Sequence, residues 1–449
     1  MCYNIPIERG RIGLSSKIKI FVLLLVCTLA LSGCGLLTLE ELYCLPKRSE
    51  EYDNLQSLID EAMEDLTYSA PISGDNRQSV QVADLDGDGN NEYLLFAKDE
   101  SETPMKILIF SHVASGYVLM DTIDGYGFAF DFVEYAQIDD NPGVEIVVGR
   151  QVSEDLPKSV SVYRFSSGFA RQMLSTGYTG LACEDLNRDG FEELVLFTAG
   201  KSERDNGSVV LYSYEAEELQ RSVISHLSRP ISFFQQVKSG MLQDGSPAVF
   251  ATSAENDGGL LLDVFVLSGE GLTNLTEGMQ IPAVRNYFLY PEDIDEDGVV
   301  EIPQPLQVNT ITGGRKEYVL QWQSLDKNAV WSAKGYTYHN HANGWYLQLG
   351  SEWIEDLTVV QEGNMCSFYL GAVQENAQNK LFSIYALTDS DREEESALSG
   401  RILLYKGDSV IFVAEMGALG SEFEIENKIL EIFTPIRKEW NTEEDGKSL

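Results

Sequence analysis

Basic residues are scarce. The 449-residue chain carries 32 Lys and Arg against 71 Asp and Glu, a formal net charge of -39, so repulsion argues against nucleic acid or another polyanion as a partner. Histidine is scarcer still, four in all. His339 and His341 alternate along one stretch, but no third ligand accompanies them, and they read as an exposed hairpin rather than a metal site. No G-x-S-x-G elbow is present, and Ser324-Leu-Asp-Lys327 matches S-x-x-K without its companion motifs. With no convergent acid, base and nucleophile, catalysis has no support in the sequence. The six cysteines include no C-x-x-C pair, which argues against a zinc site. What the chain has is length enough for two to three domains, and aromatic and β-branched runs that exclude global disorder.

The N-terminus reads as an export signal. Arg9, Arg11, Lys17 and Lys19 precede an apolar run over 20–31, too short for a typical membrane span. It ends in Leu31-Ser32-Gly33-Cys34, which resembles the bacterial lipobox; the resemblance implies cleavage of residues 1–33 and lipidation of the Cys34 sulfur, tethering the chain to a membrane by its first mature residue. Cys2 and Cys27 leave with that leader. Cys44, Cys183 and Cys366 then remain, an odd number at wide spacing that supports no disulfide framework; Cys183 reads as a buried thiol. Residues 34–50 read as a polar tether. Tyr52, Leu55, Leu58, Ile59, Met63 and Leu66 follow at three- and four-residue intervals, predicting an amphipathic helix over 51–69.

The body is organised around Asp84-Leu-Asp86-Gly-Asp88-Gly89-Asn90-Asn-Glu92. The spacing recurs as Asp185-Leu-Asn187-Arg-Asp189-Gly190-Phe191-Glu-Glu193 and as Asp293-Ile-Asp295-Glu-Asp297-Gly298-Val299-Val-Glu301. Oxygen ligands at places 1, 3, 5 and 9, a main-chain carbonyl at 7 (Asn90, Phe191, Val299) and Gly at 6 suit calcium. A calcium-binding EF-hand is excluded, because place 12 holds Leu95, Leu196 and Gln304, and strand patterns flank the loops. A metal-free Asp-Gly hairpin turn is the alternative. Two weaker copies intervene, Gln137-Ile-Asp139-Asp-Asn141-Pro-Gly-Val-Glu145 and the remnant Gln243-Asp244-Gly245.

Around each loop the hydrophobic period is two, with about four strands per unit of about 50 residues. That period predicts a mainly β fold, a β-propeller of four-stranded blades over 70–349. Beyond 350, further strands precede a run with Ile425, Ile429, Phe433, Ile436 and Trp440 on one helical face. This predicts a small α+β domain over 350–449, with two further blades as the rival. Four of the five Trp residues lie between 322 and 353, where they make either a ligand-stacking surface or a hydrophobic seam between the two parts.

The three acidic loops, their apolar flanks and the strand ending at Gly149 resemble FG-GAP or VCBS repeats over about residues 79–310. With the lipobox, the whole resembles VCBS-repeat lipoproteins of Gram-positive bacteria. That resemblance implies a calcium-bearing propeller on the outer face of the cell membrane, with the metal mainly structural. The expected role is a binding or scaffold module for a protein or glycan. The alternatives are an accessory or hydrolytic enzyme with its chemistry in the C-terminal region, and a structural subunit of an envelope complex.

Overall fold

The computed structural model describes residues 50–153, 157–202, 204–254, 259–269, 271–282, 289–311 and 314–436. The expected leader, Cys34 and its lipid, most of the tether, Cys44 and Trp440 lie outside them. Two compact units are distinguished, residues 1–61 and 62–449. In the first, a helix begins at Glu50 and ends at Ala62, shorter than the 51–69 expected. Thr67–Tyr68 instead forms an edge strand pairing antiparallel with Lys98 and Ala97. Thr and Tyr favour strands, and here an open sheet edge takes them. No helix among the described residues is long and apolar enough to cross a membrane.

The second unit is mainly β, with six antiparallel sheets following one another along the chain. The first is built from Thr67–Tyr68, Val80–Ala83, Glu92–Lys98, Met105–Val113 and Gly116–Gly125; the second from Ala129–Ala136, Glu145–Gln151, Lys158–Ser166 and Phe169–Tyr178. The third uses Gly180–Glu184, Glu193–Thr198, Ser208–Glu215 and Glu218–Ser225, and the fourth runs from Phe234–Met241 to Met279–Ile281. The fifth holds Ile302–Val308, Glu317–Leu325, Trp331–Asn340 and Trp345–Leu349, and the sixth runs from Leu357–Glu362 to Ile411–Met416.

Five hydrophobic clusters lie between consecutive sheets. In the third sheet, Leu194 and Leu196 pack towards the second, with Val147, Val160 and Val162. Their neighbours Val195 and Phe197 pack towards the fourth, with Val249, Ala251 and Phe265. Successive strand side chains point to opposite faces, so a strand sandwiched on both sides must be apolar throughout. That is why Glu193–Thr198 reads Leu-Val-Leu-Phe after its first residue rather than as an alternation. The same device joins the first sheet to the second through Phe96, Ile107 and Phe130, and the fourth to the fifth through Phe250, Leu262 and Trp322.

The C-terminal part departs from expectation. Among the described residues no single closing helix forms. Ile425–Asn427 is a short 3-10 turn, Ile429–Ile432 one helical turn, and Phe433–Pro435 a strand antiparallel to Trp345–Leu349, Phe433 facing Leu347. Pro435 lacks an amide hydrogen and disfavours helical geometry at Thr434, so the chain leaves the helix there. The helical spacing nonetheless marked buried residues, since Ile425, Ile429 and Phe433 share one cluster. That cluster also contains Val319, Tyr338, Trp345 and Leu347 of the fifth sheet, and Phe368, Phe382 and Phe412 of the sixth, so packing is continuous across residue 350. Trp345 belongs to this interior and Trp353 packs against it, Trp322 is buried between the fourth and fifth sheets, and among the described residues Trp331 is exposed.

The hairpin expected to expose its histidines buries one. His339 lies in Trp331–Asn340, stacks on Tyr346 with centroids 5.1 Å apart, and shares a 2.8 Å hydrogen bond between Nε2 and Thr337 Oγ1. Burial pushes its imidazole well below the ordinary value. Cys183 and Cys366 are buried free thiols.

The packing generates a test. Phe197→Ala should destabilise the protein by about 3–5 kcal/mol in chemical denaturation, and Phe197→Leu by less than about 1.5 kcal/mol. A loss below 1 kcal/mol for the alanine variant would contradict two-sided burial of this strand.

Candidate metal centre

The five loops share a backbone frame. The residue before place 1 pairs antiparallel with the residue at place 9 in four of them: Ala83 with Glu92, Ala136 with Glu145, Glu184 with Glu193, and Glu292 with Glu301. Strand-type pairing therefore closes each loop. At place 2 stands an apolar side chain, Leu85, Ile138, Leu186, Leu242 or Ile294, each packed in or against the core. In the same four loops, the place-9 glutamate reaches back to accept the N–H of place 2. Leu85 donates to Glu92 Oε2 at 2.9 Å, Ile138 to Glu145 at 2.9 Å, Leu186 to Glu193 at 3.0 Å and Ile294 to Glu301 at 3.1 Å.

The sixth place is left-handed in the three complete loops, at φ +87° for Gly89, +96° for Gly190 and +86° for Gly298, with open space where a Cβ would stand. Glycine is required there by conformation rather than crowding. Place 4 is left-handed as well, as Gly87, Arg188 and Glu296, a preference the motif spacing did not announce.

The side chains at places 1 and 5 shape the turn. Asp84 accepts from Gly87 (2.8 Å) and Gly89 (3.1 Å), Asp185 from Asp189 (3.1 Å) and Gly190 (3.0 Å), and Asp293 from Asp297 (3.1 Å) and Gly298 (2.9 Å). Asp88, Asp189 and Asp297 accept from the N–H of Asn90, Phe191 and Val299 at 2.7, 2.9 and 2.8 Å. These bonds hold the main chain of the place-7 residues, Asn90, Phe191 and Val299, to the loop through their N–H groups.

In the first loop Asp84, Asp86 and Glu92, and in the fifth Asp293, Asp295 and Asp297, bring ligand oxygens within 4.8 Å of one another. The third loop has Asn187 at place 3, whose Nδ2 donates to Asp189 Oδ2 at 2.9 Å and to Glu193 Oε1. Of the expected ligands the structure brings these two groups of three together; Asp88, Glu301 and the third loop's Asp185, Asp189 and Glu193 are not among them.

Electrostatics at place 9 suit a cation. Glu92, Glu193 and Glu301 are buried. Desolvation raises all three, Glu193 and Glu301 to about 7, with neighbouring aspartates adding to the rise and the place-2 N–H opposing it. Glu301 Oε1 is buried without a hydrogen-bond donor. A buried carboxylate oxygen with no donor, near the charges of Asp295 and Asp297, is a group that an oxygen-seeking divalent ion could satisfy. Lys334, which the motif could not reveal, holds Asp297 Oδ2 at 2.8 Å and lowers that carboxyl below its usual range.

Neighbouring loops also touch in chain order. Gln137 O accepts from Glu192 N at 2.8 Å, and the equivalent Met241 O from Val300 N at 2.9 Å. Arg188 donates to Gly245 O.

No protein family matches the chain, and no curated protein matches it. Among solved structures it is similar to Sqt1 of Saccharomyces cerevisiae, at 13% identity over 77% of this chain and 86% of that one with a TM-score of 0.33. It is also similar to a putative 6-phosphogluconolactonase of Bacteroides fragilis, at 11% identity over 69% of this chain and 91% of that one with a TM-score of 0.32.

The raised glutamates set a pH dependence. In chelated buffer the folded state holds protons on Glu193 and Glu301 that the unfolded state has released once pH exceeds the ordinary 4.5. Their contribution is complete below that pH and is lost as pH climbs through about 7. Melting curves between pH 4.5 and 8 should show this fall, and Glu301→Gln should flatten it relative to the wild type. An unchanged slope in the variant would remove Glu301 from the account.

Proposed function

We propose that the chain is a calcium-braced β-propeller, lipid-anchored through Cys34 on the outer face of a bacterial membrane, which serves as a noncatalytic binding or scaffold module for a protein or glycan. The observation that carries the metal reading is Glu301 Oε1, a buried acceptor without a donor, in a loop where Asp293, Asp295 and Asp297 already converge. The common hydrogen-bond frame supports the same reading for the first and third loops, with Asp84, Asp86, Asp88, Asn90 and Glu92, and Asp185, Asn187, Asp189, Phe191 and Glu193, as ligands. Six successive sheets with a core between each consecutive pair support blades. The export signal and lipobox support the location. The resemblance to VCBS-repeat lipoproteins supports the role.

An ion that binds only the folded chain stabilises it by mass action. Extracellular calcium modules bind at about 0.1 to 1 mM, so such sites fill outside a cell and empty within it. At a tenfold excess over the dissociation constant each site contributes about 1.4 kcal/mol.

Calcium titrated into chelator-treated protein should raise the melting temperature, and Asp86→Ala or Asp295→Ala should each forfeit one site's share of the gain. A melt indifferent to calcium would reject metal bracing. For the binding role, the mature protein should retain a glycan or an envelope protein in pull-downs from the parent cell surface, and chelator should weaken the capture.

A further inference from the structure

The second loop has the shape of a metal site whose first acid is missing, and its oxygens are occupied from within the chain. Gln137 stands where the other loops have aspartate, and it reverses the polarity of that place. Its Nε2 donates to Asp139 O and Asn141 O, both at 2.9 Å, whereas Asp84, Asp185 and Asp293 accept. Asp139 and Glu145 remain, with side chains 0% and 4% exposed. Two carboxylates at that depth require compensation. Asp139 Oδ1 takes the N–H and the side-chain amide of Asn141, at 2.7 and 2.9 Å, and Glu145 Oε2 takes Ile138 N at 2.9 Å. The oxygens left over, Asp139 Oδ2 and Glu145 Oε1, face Arg164. Its guanidinium pairs with the first, and its Nε lies 3.9 Å from the second.

Arg164 comes from Lys158–Ser166, two strands further along the same sheet, and its side chain is 12% exposed. Its other face lies over the Tyr214 ring, 5.2 Å from the centroid, on the third sheet. A planar, permanently charged fork between a carboxylate pair and an aromatic face is a geometry that lysine does not reproduce.

We infer that Arg164 is a resident cation that takes the place of a divalent ion in the second loop, so that this connector is braced whatever the ion content of the medium. The assignment draws on the cation reading of the complete loops for the phrase "in place of", but its charge compensation stands by itself. It divides the connectors into two kinds. The first, third and fifth depend on an external ion, and the second carries its own. The Gln137 carbonyl bonded to Glu192 N then gives the third loop a fixed neighbour even when that loop is empty.

A double-mutant cycle on the full-length protein in chelated buffer tests this. Arg164→Met should lower the melting midpoint by several degrees, because it strands the buried Asp139 carboxylate. Asp139→Asn/Arg164→Met should recover most of that loss. If the two single losses simply add, Arg164 is a packing residue over Tyr214 and the inference fails. Should Arg164→Met not fold, a folded Asp139→Asn/Glu145→Gln/Arg164→Met variant sustains the assignment, and failure of that variant to fold overturns it. Calcium stoichiometry by equilibrium dialysis adds a second readout: Gln137→Asp/Arg164→Met should bind one more ion per chain than the wild type, and an equal number refutes replacement of a cation. A wild type that binds none while the variant binds one would sink calcium bracing of the other loops and leave Arg164 in its role.

Discussion

A buried glutamate bonded to the amide seven residues behind it is the constraint on which the connectors depend. Glu92, Glu145, Glu193 and Glu301 each begin or adjoin a strand, lie under the surface, and fasten the N–H of a residue whose side chain is seated in the core. One oxygen of each carboxylate is thereby committed to backbone. The other faces the loop, where its charge must be met by something positive or by a proton, since an unpaired buried carboxylate is costly. The loops differ in how they meet it. Arg164 Nε stands 3.9 Å from Glu145 Oε1, whose carboxyl burial raises to about 7, the Asn187 amide donates to Glu193 Oε1, and Glu301 Oε1 has no donor. A single backbone frame can thus be completed in several chemical ways, and changes at places 1 and 3 do not disturb the pairing of the residue before place 1 with place 9.

The second organising fact is two-sided burial. Because consecutive sheets share a core, each inner strand supplies two clusters with alternate residues, as Leu194 and Val195 do. Loops follow the same order. The main-chain bonds Glu192 to Gln137 and Val300 to Met241 link connectors of neighbouring sheets, so a loop that stiffens does so against the next one along the chain.

Strand positions were legible because the period-two pattern marks them locally. The carboxylate loops were legible because their acids fall within nine consecutive residues. What the sequence did not disclose comes from far along the chain. Arg164 lies 25 positions after Asp139 and Lys334 lies 37 after Asp297, and neither belongs to a motif. The signal available was an arginine among Val160, Val162, Tyr163 and Phe165, in the very unit whose loop had lost its first acid. Tertiary pairing also overrode local pattern at both ends of the β unit, where Thr67–Tyr68 and Phe433–Pro435 left helix-like spacing to complete sheet edges.

That last strand bears on biosynthesis. Phe433–Pro435 adds to the fifth sheet only after the whole sixth has been made, since it follows Ile411–Met416 in the chain. Trp345–Leu349 is therefore covered only when a segment some eighty residues further along folds back on it. A chain cut short before residue 433 would leave that edge exposed to other strands.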